Sequence, residues 1–248
     1  VFVLAVVIGL WVVLLDLSGV SDLVVRRPAD VWEYLFQDPD AAENRSEVFG
    51  PLRQTLLEAG IGFVAGLVAA TLLATGMVLS KGVEAASMPV VILVRTVPLV
   101  ALAPIITLIF GNGFVCVAVM SGIVVLFPAL VTIAFGLRSV TPQMRDVVTV
   151  YGGSTLDVLR RVAYPTALPS IFAAIRISVP GAITGALIAE YFTTTDSVGK
   201  AINTSLALYQ YSRLWALVVV VTLASILLYT VAQLAERLVL QRFGVTTR

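Results

Sequence analysis

Two sets of residues in this chain have types and spacings suited to chemistry. The first is a polar island, Asp146–Pro169, set between strongly apolar segments. It holds Gly152-Gly153, the run Ser154-Thr-Leu-Asp157, the pair Arg160-Arg161, and Pro165 and Pro169. Serine with an acid three residues on is the spacing of a helix capping box, where each side chain takes the other's backbone N–H. The expected product is a short helix lying flat between two spans, turned into by the glycines and ended by Pro165. Leu156, Leu159 and Ala163 would share one face, with Asp157, Arg160 and Arg161 on the other. Such a helix can be a grip for another protein or a cover for neighbouring helix ends. Spacing alone leaves both open.

The second set is Glu58, Arg95 and Glu190, charged residues within or at the edge of apolar runs. Inserting such a group into a bilayer costs about 2.5–3.5 kcal/mol, so it normally faces a cavity or a partner. A guanidinium at Arg95 suits an anion through paired donors on a translocation path. It equally suits a tie between spans through Glu190 or Glu58, or a bond to a broken helix near Pro98. Arg176 has a similar pair of readings, anchoring its span to the island or reaching to the interface.

Much chemistry is absent. The chain has no histidine and one cysteine, Cys116, in an apolar run. Histidine-ligated metals, Ser-His and Cys-His nucleophiles and an intrachain disulfide are excluded. Gly199-Lys200-Ala201 is not a phosphate loop, lacking both the upstream glycine and the hydroxyl.

The elements that must carry these residues are membrane helices. The sequence is 59% hydrophobic and 12% charged, against about 45–50% and about 25% in soluble domains. Mean hydropathy is +1.01. Six stretches suit a bilayer-crossing helix of about 20 residues: 1–17, 54–80, 84–110, 114–136, 170–192 and 213–236. The first reads as a span, not a cleaved leader, since no small-residue cleavage site follows it. Gly62 and Gly66 have the spacing of a close helix crossing. Residues 18–53 read as a long acidic external loop with an interfacial helix begun by Pro28, its Val31, Trp32, Leu35 and Phe36 on one face. Residues 137–169 read as a cytoplasmic loop. Lys81, Arg138, Arg145, Arg160, Arg161, Arg237, Arg242 and Arg248 fall on one side of this topology, which the positive-inside bias makes cytoplasmic. The whole of 1–248 reads as one all-α integral membrane domain.

The island resembles the loop named for its Glu-Ala-Ala motif in permease subunits of bacterial ABC importers. In that pattern an acidic residue precedes a glycine by six positions, and a Leu-Pro pair follows the glycine by twelve and thirteen. Asp146, Gly152, Val162 and Pro165 stand in the acidic, glycine, isoleucine and proline positions. Asp146-Val147-Val148 replaces Glu-Ala-Ala, and Tyr164 replaces leucine. The likeness extends along the chain and is nearest to nitrate/sulfonate/taurine-type permeases. It continues through Arg27-Pro28, Arg95-Thr-Val-Pro98, Ala103-Pro104, Ala167-Leu-Pro169, Arg176-Ile177, Ala189-Glu190 and Ser197-Val-Gly199. Glu58 departs from it, standing where such proteins often carry a basic residue.

This resemblance implies a type I importer-like permease in the bacterial cytoplasmic (inner) membrane. It pairs with a second permease subunit, identical or not, and with two ATP-binding subunits. An external binding protein delivers a small anionic or polar solute. ATP and Mg belong to the ATPase subunits, and this chain binds no cofactor and catalyses nothing. Asp146, Gly152, Gly153, Ser154, Asp157, Leu159, Arg160, Arg161 and Pro165 would form the ATPase-coupling element. Arg95, Glu190 and Glu58 are candidates for the translocation path. An ion-coupled secondary transporter is the alternative, but the two halves show no inverted repeat and few intramembrane carboxylates. A membrane enzyme has too few reactive groups to work with.

Overall fold

The computed structural model describes residues 6, 9–13, 15, 17, 19, 23–192 and 196–242. Among them there are helices and no strands. The predicted first span, 1–17, lies mostly outside the described residues. Within it Trp11 stacks on Trp215 with ring centroids 5.5 Å apart.

Helix α1 (Pro28–Phe36) starts on a proline, whose fixed φ suits a first turn. The predicted apolar face is split. Val31 and Leu35 are buried, while Trp32 and Phe36 are exposed and pack on each other. Its last carbonyls are satisfied by the next helix: Asn44 Nδ2 donates to Tyr34 O (2.9 Å) and Arg45 to Leu35 O (2.8 Å). That next helix, α2 (Ala41–Leu79), begins well inside the predicted external loop. Pro51 does not interrupt it, and the span predicted at 54–80 is its second part.

The predicted span 84–110 is two helices, α3 (Lys81–Thr96) and α4 (Leu99–Phe110). They meet at 105°. Pro98 causes the break, because it cannot donate an N–H and drives its predecessor out of the helical region. Val97 accordingly has ψ 126°. Prolines elsewhere are absorbed. Pro128 and Pro180 lie inside helices, and the hydroxyls of Thr132 and Thr184 bond the Pro128 and Pro180 carbonyls at 2.7 and 2.9 Å. Thr96 and Thr107 likewise bond their own backbone.

Helix α5 (Phe114–Leu137) is the centre of the bundle, enclosed along most of its length. Two neighbours approach it through glycines. A Cβ on Gly62 would strike the Ala118 carbonyl and Ser121, and one on Gly66 would lie 2.5 Å from the Gly122 carbonyl. The predicted close crossing is therefore α2 against α5, with Ser121 Oγ donating to Ala59 O across it (3.2 Å). On the other flank, Gly185 would put a Cβ 2.9 Å from Val124. In lipid such contacts hold helices by van der Waals packing, since lipid tails are as apolar as the side chains.

After α5 come α6 (Pro142–Val150), α7 (Thr155–Val158), a π-helical turn (Leu159–Ala163), α8 (Tyr164–Glu190), α9 (Val198–Ala207) and α10 (Tyr211–Arg242). Residues Thr155–Glu190 run as one 36-residue helix. Among the described residues, four helices are long and apolar enough to cross a membrane, five if α3 and α4 count as one broken span.

Candidate coupling site

The polar island folds into a helix–turn–helix at one end of the bundle. Thr141 caps α6, its hydroxyl accepting from Met144 N–H (3.4 Å), and Pro142 follows in the first turn. The helix ends in a Schellman motif. Gly152 N–H donates to Thr149 O (3.0 Å) and Gly153 N–H to Val148 O (2.9 Å). Both glycines are needed, for different reasons. Gly152 has φ +81°, a conformation costly for any residue with a Cβ. Gly153 approaches so closely that a Cβ would sit 2.5 Å from Val148 Cγ1.

Ser154 then caps α7 with the expected reciprocal bonds. Ser154 N–H and Oγ–H both donate to Asp157 Oδ2 (2.9 and 2.6 Å), and Asp157 N–H donates to Ser154 Oγ (3.3 Å). The Ser154 hydroxyl and backbone bonds, with Arg161 and Arg160 beyond, hold the Asp157 carboxyl below the ordinary range. Arg161 Nε lies 3.6 Å from Asp157 Oδ1.

Pro165 does not end this helix. It falls in the first turn of α8, and the preceding π turn makes room for it: the wider i→i+5 pattern relieves the clash a proline ring would make with the helix behind it. The same turn shifts the faces. Leu159 and Ala163 are buried with Val158, but Leu156 is 57% exposed. Leu159 therefore anchors the element to the bundle, packing with Ala70, Ala74, Met77 and Ile133. Tyr164 OH lies 2.7 Å from Thr75 Oγ1 and pins the junction to the end of α2. Nearby, Arg138 and Glu84 pair at 2.8 Å.

What the element presents outward is apolar. Val147, Val150, Tyr151 and Leu156 are exposed, Val150 at 81% and Tyr151 at 88%. The i, i+3, i+4 spacing of Val147, Val150 and Tyr151 was readable in the sequence. Asp146, Arg160, Arg161 and Pro165 are also exposed around it.

The second set of residues lies elsewhere. Glu58 and Glu190 are fully enclosed within this chain and touch each other. Glu190 Oε2 accepts from Thr55 Oγ1 (2.9 Å) and Gly199 N–H (2.9 Å). Arg95 lies on α3, and its side chain is outside the described residues. The Arg176 guanidinium pairs with Glu236 of α10 at 3.1 Å.

A bundle of apolar helices, several long enough to cross a bilayer, defines a multi-pass membrane protein, and its capped element at one end faces outward. Residues 62–245 match the family model described as binding-protein-dependent transport system inner membrane component, and the chain belongs to that family. It is a multi-pass permease subunit of ABC transport systems, not an ion-coupled secondary transporter. An ABC transporter permease protein of Haemophilus influenzae is 26% identical over 227 residues, covering 92% of this chain and 90% of that one. The aliphatic sulfonates transport permease protein SsuC of Bacillus subtilis is 27% identical over 237 residues, covering 96% and 84%. Among solved structures, a chain of an amino acid ABC transporter crystallised with histidines superposes with a TM-score of 0.63. It is 16% identical and covers 79% of this chain and 95% of that one, a likeness of fold.

Proposed function

We propose that this chain and a second permease subunit form the translocation path of an ATP-driven importer in a bacterial inner membrane. Each would rest its α6–α7 element on an ATP-binding subunit, which supplies ATP, Mg and the hydrolysis. A binding protein outside the cell would deliver a small anionic or polar solute. The likeness to a sulfonate permease supports that class of solute, and a guanidinium at Arg95 suits it.

The observation that carries the reading is the exposed patch of Val147, Val150, Tyr151 and Leu156 on a backbone fixed by two caps. An apolar cluster ringed by charge is an interaction site in an otherwise polar setting, and a large aromatic is a common anchor. The test is a single cysteine at Tyr151 in the assembled transporter. It is expected to cross-link to the ATPase subunit, and Tyr151→Ala is expected to lower transport-stimulated ATP hydrolysis about tenfold, the equivalent of about 1.4 kcal/mol of contact. A Tyr151 cysteine that stays open to aqueous thiol reagents in the full complex refutes it.

A further inference from the structure

The polar island is joined to the bundle in two physically different ways. Val158, Leu159 and Ala163 are buried, and Leu159 and Ala163 share an apolar cluster with Ala70, Ala74 and Met77 of α2 and with Ile133 of α5. Contact of that kind is non-directional. It holds surfaces together without fixing how one slides on the other. The second tie is directional. Tyr164 OH, in the first turn of α8, lies 2.7 Å from Thr75 Oγ1, four residues from the end of α2. Among the described residues, no other side-chain hydrogen bond or ion pair joins residues 141–169 to the rest of the chain.

The neighbours decide which oxygen donates. A hydroxyl has one proton, and Thr75 Oγ1 gives its own to Thr71 O at 2.7 Å. The Tyr164 phenol is therefore the donor and Thr75 Oγ1 the acceptor. Thr71 Oγ1 is spent in the same way on Leu67 O at 2.8 Å. Threonines that bond back to their own helix bend it and slightly weaken it. Two in succession leave this end of α2 with little stiffness to follow a moving neighbour. Tyr164 stands at an irregular point of its own helix. Its N–H reaches Leu159 O, five residues back, across the π turn. The next residue, Pro165, has no N–H to give. The backbone ladder is thus thinnest where a push on α6–α7 enters α8, and there the phenol bridges to α2.

We propose that Tyr164 is a positioning residue whose O–H···Oγ1 bond to Thr75 clamps the start of α8 to the end of α2, so that a push on α6–α7 moves both helices as one body. This rests on the reading of α6–α7 as the face held by an ATP-binding subunit. Apolar packing keeps α2 and α8 in contact, and the hydrogen bond fixes their register while the element is driven. With a phenyl ring in place of the phenol, the contact survives and the register is lost.

The test uses the assembled transporter in lipid, with spin labels at Leu72→Cys of α2 and Ile177→Cys of α8, both exposed positions. The label distance is read without nucleotide and after trapping with ATP and vanadate. In the otherwise wild-type chain it is expected to be the same in both states. In Tyr164→Phe, and in Thr75→Val, it is expected to match that value without nucleotide and to shift by about 2 Å or more on trapping. Thr75→Ser, which keeps the acceptor oxygen, is expected to restore the constant distance. A distance that stays constant in Tyr164→Phe overturns the proposal. So does one that already differs without nucleotide, since the bond then only shapes the resting fold. Should Tyr164→Phe fail to assemble, Thr75→Val gives the same reading with the phenol in place. A Tyr151 cysteine in the Tyr164→Phe chain keeps the two ideas apart. A cross-link to the ATPase subunit with no shift in distance sinks the clamp and leaves the docking reading standing, whereas loss of the cross-link in the otherwise wild-type chain sinks both.

Discussion

Single residues set the shape of the candidate coupling element. Gly152, at φ +81°, is the residue that lets α6 stop and α7 start within a few positions. Gly152→Ala places a Cβ in a left-handed conformation at a cost of about 1–2 kcal/mol. We expect hydrogen exchange at the Gly153 amide, bonded to Val148 O, to quicken about 5–30-fold. Asp157 makes a prediction about acid. Its carboxyl sits below the ordinary range because Ser154 Oγ–H and N–H bond its charged form. A lowered value in the fold means the cap is intact above the unfolded value, about 3.9, and is lost as pH falls through the lower folded value. Exchange protection at the start of α7 should therefore be flat through the neutral and mildly acidic range and drop only beneath it. In Asp157→Asn that acid step should vanish.

At the scale of elements, the contact of α2 with α5 rests on absent side chains. Gly66→Leu puts a Cβ 2.5 Å from the Gly122 carbonyl and 3.0 Å from Val125 Cβ. Backbone cannot yield there, so the helices must part, at a cost of about 1–3 kcal/mol or more. Gly60→Leu is the matched control, since a Cβ there meets nothing within 4 Å and leucine favours helix over glycine. We expect Gly66→Leu to lower the melting temperature in detergent and Gly60→Leu to leave it unchanged or raise it. The Gly62/Gly66 spacing and the Ser154/Asp157 box were legible in the sequence because each is a local rule with a short repeat. The ends of elements were less so. Nothing in residues 41–53 marks them as helix by hydropathy, yet they continue α2, stabilised by side chains such as Arg45 that reach back to α1. Pro165 looked like a stop because a proline's effect depends on the width of the turn before it. The joining of Glu58 to Glu190, 132 positions apart, is tertiary and has no local trace.

At the scale of the molecule, the broken span α3–α4 is largely unenclosed. Val91 is buried on α3 and Ala103 on α4, and most of their other apolar side chains are exposed. Such a span suits a surface facing lipid or another subunit, and Arg95 lies next to its break. We expect Arg95→Ala to assemble with its partners at normal yield and to keep ATP hydrolysis while solute uptake into proteoliposomes falls at least tenfold. A variant that fails to assemble would instead make Arg95 a structural tie.

The unbroken run from Thr155 to Glu190 has a mechanical corollary. Thirty-six residues at 1.5 Å each make a rod of about 54 Å, with the capping box at one tip and the acid pair at the other. Tilting that rod by some five degrees sweeps its far tip through about 5 Å, wider than the hydrogen bonds that clasp Glu190. A push by a motor on one face of the membrane would thus be felt, through a single stiff lever, as a loosened clasp on the other. The π turn, Leu159–Ala163, lies within that rod beside the capping box.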